Sequence, residues 1–172
     1  MVDFNWFITL GYLGAFLASL LGCASFVISL PYAFVLVALS TVLDPFLLSI
    51  VSAFGAAIGE FTSYAIGWGV NYSKKKITGE EKDEKPRKGL KRAWYKLVDK
   101  TSKWFYKNGF MTIVLFGATP LPDDIVGFIA GATNYSKKKY FLANLIGKLI
   151  MSFFIVYSSR FGIEALIDIW AI

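Results

Sequence analysis

The sequence predicts an all-α integral membrane protein, and three observations carry this prediction. Hydrophobic residues make up 56% of the 172 residues and charged residues only 17%, whereas a soluble domain carries charge on about a quarter of its residues. Apolar runs of about 20 residues, the length of a membrane-spanning helix, recur along the chain. Basic residues are absent from positions 1–73 and concentrate in 74–107 and 137–139. Because basic loops beside apolar segments favour the cytoplasm, residues 74–107 and 134–139 are predicted to be cytoplasmic.

The composition also excludes several classes of function. The chain has no His and a single Cys, so no metal site, cofactor or disulfide framework is expected. The net charge of +6 comes from basic residues that lie beside the apolar runs. They do not form a basic sheet with interleaved aromatics, so nucleic-acid binding is not expected. No Ser lies beside an evident base, so the protein is predicted not to be an enzyme.

The first 43 residues contain two apolar segments. Residues 4–22 are long enough to span and lack the basic start of a signal peptide, so they are predicted to form a retained transmembrane helix. Residues 24–43 contain Pro31 near their middle. Proline interrupts the helical hydrogen bonds, so this segment forms either one kinked span or a re-entrant hairpin.

A turn at Asp44-Pro45 precedes a second spanning helix at 46–70, which ends at the basic run 74–76. Residues 77–88 are polar and are predicted to form a cytoplasmic linker.

Residues 89–107 form a basic amphipathic helix in this interpretation. Trp94 and Trp104 fall on an apolar stripe of helical spacing. The other face holds basic residues, among them Lys91, Arg92, Lys100 and Lys103. Such a helix is expected to lie in the membrane interface, with these side chains at the membrane surface. The alternative is a solvated helix packed on a protein partner.

Residues 110–133 are long enough to span but carry Pro120, Pro122, Asp123 and Asp124 at their centre. Basic residues flank both ends, so a single crossing would place one basic cluster on the wrong side. A re-entrant hairpin places both clusters on the cytoplasmic side, with the acidic turn at its tip. Broken backbone at membrane depth needs surrounding protein or a water-filled cavity, so the tip is predicted to face a cavity. Residues 140–158 form the last span, and 161–172 form a C-terminal helix extension.

A hexapeptide repeat relates two parts of the chain. Asn71–Lys76 recurs letter for letter at Asn134–Lys139, and the same offset along the chain carries Glu60 onto Asp123. Each acid precedes the first lysine of its copy by the same interval, about 14 residues or about 21 Å of helical rise, which places both near mid-membrane. The alternative explanation is that two lysine runs flank apolar segments independently and that the match between them is a coincidence.

Four ionisable residues are predicted within the membrane: Glu60, Asp123, Asp124 and Lys148. Such residues usually line a substrate or proton pathway, or pair with one another as a structural salt bridge. The adjacent Asp123 and Asp124 repel each other, which favours protonation of one of them. Helix packing through small residues is expected at two further pairs, Gly55/Gly59 and Gly127/Gly131.

These elements together resemble the DedA proteins of the VTT-domain superfamily. The residues that carry the resemblance are Gly55-Ala56-Ala57-Ile58-Gly59-Glu60, Tyr64, Gly67, the Pro-rich hairpin, Ala130-Gly131, Phe141 and Gly147. The resemblance implies three to four spanning helices and two re-entrant hairpins that enter from opposite faces and meet at mid-membrane. Residues 24–43 would then be the first hairpin, with the N-terminus cytoplasmic. Arginines are usual in the second hairpin of such proteins, whereas this chain has Ala118 and the Asp123-Asp124 pair.

The resemblance also implies a function. Members of the superfamily return undecaprenyl phosphate or scramble phospholipids, so we expect a transporter of the cell membrane that flips or scrambles lipids. Its partners would be membrane lipids, including lipid phosphate headgroups, with protons as a further partner; a homo-oligomer is left open. The alternatives are a proton-coupled exporter of small cationic solutes and a non-transporting scaffold.

Overall fold

The computed structural model describes residues 4–24, 32–77 and 90–170, with the side chains of 10–24, 32–70, 103 and 105–162. The described residues form seven α-helices. They are α1 (Phe4–Ala24), α2 (Tyr32–Ser40), α3 (Pro45–Gly59), α4 (Phe61–Ile77), α5 (Leu90–Gly117), α6 (Asp124–Ala132) and α7 (Lys137–Trp170). The predicted linker 77–88 and Pro31 lie outside the described residues, apart from Ile77 at the end of α4.

Two helical stretches of the described part are long and apolar enough to cross a membrane: Pro45–Val70, which joins α3 to α4, and Lys137–Gly162 within α7. Each is 26 residues long, or about 39 Å. Asp44 caps the first stretch by accepting a hydrogen bond from the Leu47 amide at 2.8 Å, and Pro45 occupies the first turn, where its missing N–H costs nothing. The prediction of three to four spans stays a prediction.

The two long stretches run in opposite directions. At one end, which we call the Asp44 end, the Ser159 hydroxyl donates to the Ser40 hydroxyl at 3.0 Å, and Phe46 packs edge-on against Phe153. At the other, basic end, the Lys137 ammonium lies 5.1 Å from the centre of the Trp68 ring. Glu60 and Lys148 each lie close to the midpoint of their own apolar stretch.

α1 runs parallel to α3 from the Asp44 end and stops halfway. The Tyr12 hydroxyl accepts from the Asp44 amide at 3.0 Å, and at the end of the same helix the Ala24 carbonyl accepts from the Thr62 hydroxyl at 3.0 Å. The helix between Tyr12 and Ala24 rises about 18 Å, roughly half of a bilayer core. α1 therefore ends level with Glu60, and the prediction that residues 4–22 span the membrane stays a prediction.

The segment 24–43 stays predicted as a re-entrant hairpin or a kinked span, because residues 25–31 lie outside the described residues. The main described part of this segment is the helix α2, which returns to the Asp44 end and packs on α1 and α7. Any hairpin here consists of α1 and α2, with residues 25–31 between them.

α5 and α6 form a helix–break–helix unit at the basic end. Asn108 has non-helical dihedral angles of φ −145° and ψ 60° within α5, and it separates the amphipathic part from the apolar limb 109–117. The helix ends at Gly117, residues 118–123 form turns, and α6 returns to Ala132. The break predicted at Pro120 and Pro122 is present, and the predicted boundary between 89–107 and 110–133 coincides with the kink.

α4 and α6 run parallel in close contact. A methyl group added at Gly67 would overlap the Phe128 carbonyl, and one added at Gly131 would overlap the Tyr64 carbonyl. α6 is followed by Asn134, whose φ of 54° is the left-handed conformation that Asn tolerates at helix ends. The chain then turns into α7, whose helix continues from the predicted span 140–158 to Trp170.

Candidate functional site

Three of the predicted intramembrane charges meet at the centre of the fold. Glu60 immediately precedes α4 and Asp123 immediately precedes α6, so the parallel packing of these helices sets the two acids at the same level. Lys148 arrives from the middle of α7. Its ammonium donates to the Asp123 carboxylate in a short contact and lies 3.6 Å from Glu60 Oε2. The sequence had left open which acid Lys148 pairs with, and the structure brings it to both.

Asp124 takes a different partner. Its Oδ1 accepts a hydrogen bond from the Ser63 hydroxyl of α4 at 2.5 Å. Ser63 is fully buried, and its position one turn after Glu60 follows from the helical repeat. This bond ties the start of α6 to α4 and leaves Asp123 to the lysine.

Burial makes this cluster electrostatically costly unless its charges are paired. Glu60 is 2% exposed and Lys148 4% exposed, and a buried ion gives up several kcal/mol of solvation. Three carboxyl groups face one ammonium group, so the cluster carries an excess of acid. Glu60 Oε1 has no hydrogen-bond partner among the described residues, which leaves it able to accept a proton or a polar group.

Two further side chains complete the cluster, and sequence reasoning missed both. The Lys148 ammonium lies 3.7 Å from the buried Cys23 sulfur at the end of α1. The Tyr140 hydroxyl donates to the Glu60 carbonyl at 3.3 Å. No signal in the sequence identifies Cys23, because nothing local shows that α1 ends at the charge cluster. Tyr140 could have been identified from the sequence, because it lies two turns before Lys148 on the same helix and therefore on the same face.

A cavity of about 440 Å³ opens onto the charges. Its polar lining comes from Glu60, Asp123, Asp124 and Lys148, and its remaining lining comes from Gly22, Cys23, Tyr32, Ala33, Gly117, Met151 and the turn 119–122. Pro120 and Pro122 are exposed along its edge. The sequence predicted that the acidic tip faces a cavity, and the described residues place it there.

The other predicted residues lie away from the cavity. Gly55 and Gly59 face the backbone of α1, and Gly127 and Gly131 face α4 and Tyr140. Lys103 is exposed. The side chains of the remaining predicted surface residues, Trp94, Trp104, Lys91, Arg92 and Lys100, lie outside those that the structure describes.

Comparison with known proteins identifies the family. The family model of the VTT domain matches residues 30–161. The DedA proteins of Escherichia coli K12 and of Escherichia coli O157:H7 are each 29% identical to this chain over 96 residues, which is 56% of this chain and 43% of the relative. The matched part therefore spans less than half the length of these relatives. No solved structure matches the chain significantly.

The match to the VTT domain covers most of the chain, including α2 to α6 and most of α7. Together with the two long apolar stretches, it indicates a membrane protein. The resemblance seen in the sequence is confirmed: the chain belongs to the VTT-domain family.

Proposed function

We propose that this protein moves lipids between the two leaflets, with the headgroup passing through the central cavity while the acyl chains stay in the bilayer. The observation that carries the proposal is the position of the cavity. Charged side chains line it at the midpoint of two apolar helical stretches, and charge at that depth is costly unless a polar group uses it.

The arrangement of broken helices supports this proposal. The α5–α6 unit reaches the cavity from the basic end, and α1 and α2 reach it from the Asp44 end. In our proposal these are two re-entrant hairpins in the cell membrane, with the basic end cytoplasmic. Helix breaks at mid-membrane are typical of transporters that bind their substrate there and open alternately to each side.

The charge balance favours a headgroup that carries a cation. Three carboxyl groups outnumber one lysine, so the cavity attracts an ammonium group more than a bare phosphate. A lysine also offers a point charge and no bidentate clamp for phosphate. We therefore expect phosphatidylethanolamine to move faster than phosphatidylglycerol or a polyprenyl phosphate.

A liposome assay tests the proposal. Purified protein is reconstituted with fluorescent phosphatidylethanolamine, and a membrane-impermeant quencher reports how much lipid reaches the outer leaflet. Replacing Glu60→Gln together with Asp123→Asn is expected to slow lipid movement about tenfold or more, since each loss of about 1.4 kcal/mol of stabilisation at the barrier is worth a factor of ten.

Ser49→Ala is the matched control, because Ser49 is buried on α3 and its hydroxyl is satisfied by the Pro45 carbonyl of the same helix at 2.7 Å. Equal rates for wild type, the double variant and the control would contradict the proposal.

The excess of acid also supports a second candidate, a proton-coupled exporter of small cations. Two results together would favour this candidate. Adding a small cation would drive proton flux across the liposome membrane, and the lipids of the same liposomes would not exchange between leaflets. A third candidate is a scaffold that acts through the amphipathic helix, and deleting residues 89–107 distinguishes it from the two transporters. If this helix serves only to recruit partners, lipid movement would persist in the deletion variant while partner recruitment stopped.

A further inference from the structure

Three buried serines stand out because their hydroxyls have no hydrogen-bond partner in the described part of the chain. They are Ser19 on α1, Ser52 on α3 and Ser152 on α7. Each is at most 1% exposed. A serine inside an apolar helix ordinarily donates to the carbonyl three or four residues earlier.

Other hydroxyl groups of the described helices and turns do make that bond: Ser40, Ser49, Thr112, Thr119 and Thr133. The three serines are exceptions to the local rule, and burying a hydroxyl without a partner costs about 1–3 kcal/mol.

Along their own helices the three serines all lie on the Asp44 side of the charge cluster, and we call them the serine row. Ser152 lies one helical turn beyond Lys148, and Ser19 lies one turn before Cys23 on α1. Both steps point towards the Asp44 end, because α7 runs towards that end and α1 runs from it. Ser52 lies two turns before Glu60 on α3, again towards the Asp44 end. Ser152 and Ser19 therefore lie one turn from Lys148 and from Cys23, and Ser52 lies one turn further from the centre.

The cavity reaches the start of this row. Gly22, Cys23, Lys148 and Met151 line it, and these residues adjoin Ser19 and Ser152 along their helices. The neighbours of Ser52 on α3 include the small side chains of Ala53 and Ala56, whereas the backbone of α1 fills the space at Gly55.

An apolar layer lies beyond the row. Leu36, Leu48 and Val156, each fully buried, pack with Ala15 and Leu43 into one cluster. The Ser40–Ser159 hydrogen bond lies on the far side of this layer.

We propose that Ser19, Ser52 and Ser152 line a water-binding branch of the central cavity, which extends towards the Asp44 end and is closed there by the Leu36, Leu48 and Val156 side chains. Water is the ligand that satisfies isolated buried hydroxyls, since a buried water typically makes two to four hydrogen bonds. The branch deepens the proposed function and rests on it, because it marks the route by which the cavity opens to the second face when the apolar layer separates.

Cysteine accessibility tests the branch without any transport measurement. In a Cys23→Ala background, single substitutions Ser152→Cys and Ser52→Cys are treated with a small water-soluble thiol reagent, methanethiosulfonate ethylammonium, in detergent. Both are expected to react at least about tenfold faster than the matched Ser49→Cys, whose labelling requires local opening of the helix packing. Labelling at the Ser49 rate, with full reaction of all three after denaturation, would overturn the proposal.

A second measurement addresses the hydroxyl itself. If Ser152 binds water, Ser152→Ala lowers the melting temperature, because a satisfied hydroxyl and its bound water are lost. If the site is dry, Ser152→Ala leaves the melting temperature unchanged or raises it, because an unpaired polar group is removed; that result would overturn the proposal. Neither experiment depends on lipid movement, so the branch and the proposed function can fail separately.

Discussion

Lys148 is the residue on which the stability of the central cluster depends. Its ammonium contacts Asp123 and Glu60, and both it and Glu60 are almost fully buried. Two acids from separate helix breaks therefore share one cation. Removing the cation leaves acids at the centre of the fold without compensation, whereas removing a single acid leaves the lysine with a partner.

We expect Lys148→Met to be strongly destabilising, by about 3–5 kcal/mol, because breaking a buried ion pair leaves its partners uncompensated. Adding Glu60→Gln to Lys148→Met should recover part of that loss, since the more deeply buried acid is then neutral. The measurement is the melting temperature in detergent, followed by size-exclusion chromatography.

Lys139→Met is the control for lost positive charge, because Lys139 is exposed and is expected to tolerate the change. A melting temperature for Lys148→Met equal to that of Lys139→Met would show that the pair contributes nothing to stability.

At the same scale, the sequence allowed the members of the cluster to be named but not their pairing. The four charged residues can be recognised from the sequence because they lie within apolar segments. The number of residues between each acid and the lysine run that follows it predicts that Glu60 and Asp123 lie at the same depth. The pairing depends on rotation about each helix axis. The contact of Lys148 with Cys23 joins residues 125 positions apart, and no local pattern encodes it.

Among the elements, the α4–α6 contact is the one that aligns the two acids. Gly67 and Gly131 let the backbones touch, because carbonyl oxygens of the opposite helix fill the space that a side chain would need. Close packing through small residues is a main source of helix association in membranes.

Gly131→Ala is expected to destabilise the protein by about 1–3 kcal/mol, because the methyl group would overlap the Tyr64 carbonyl and force the helices apart. The same substitution at Gly69, on α4, is the matched control: nothing lies within 4 Å of the added methyl group there. Since alanine favours a helix over glycine by about 1 kcal/mol, Gly69→Ala should be neutral or stabilising. Melting temperatures that fall equally for both variants would show that this contact is not tight.

The repeated hexapeptide shows how element structure can escape sequence reasoning. Residues 71–76 lie within α4, whereas the identical residues 134–139 form a turn and the first residues of α7. Asn134 is left-handed in the second copy, so tertiary context decides the conformation of the same letters. The shared depth predicted from the repeat nevertheless agrees with the structure, because the starts of α4 and α6 are separated by the same offset as the repeat and the two helices pack in parallel.

Across the whole molecule, the two long stretches act as a frame and the shorter helices fill it from both ends. Each half of each stretch packs on one short helix: α3 on α1, α4 on α6, and α7 on α5 and then on α2. Amphipathic and apolar patterns predicted most of these helices. They did not predict that α1 ends level with Glu60, because its length and composition match those of a spanning helix.

The sidedness of the molecule gives the last prediction. If α5 and α6 enter and leave at the basic end, Asn108 and Ser136 lie on the same membrane face, and Thr41, in the turn between α2 and α3, lies on the other. All three are exposed, so each can carry a reactive cysteine. In a Cys23→Ala background, Asn108→Cys and Ser136→Cys should react with a membrane-impermeant maleimide from the same side of sealed vesicles.

Thr41→Cys should react from the opposite side, and all three should react in detergent. In the proposed orientation the lysine-rich runs face the cytoplasm, so Asn108→Cys and Ser136→Cys should react from the cytoplasmic side. Labelling of Asn108→Cys and Ser136→Cys from opposite sides would mean that residues 109–135 cross the bilayer. The acidic turn would then lie on a through-going segment, and the paired hairpins could not be retained.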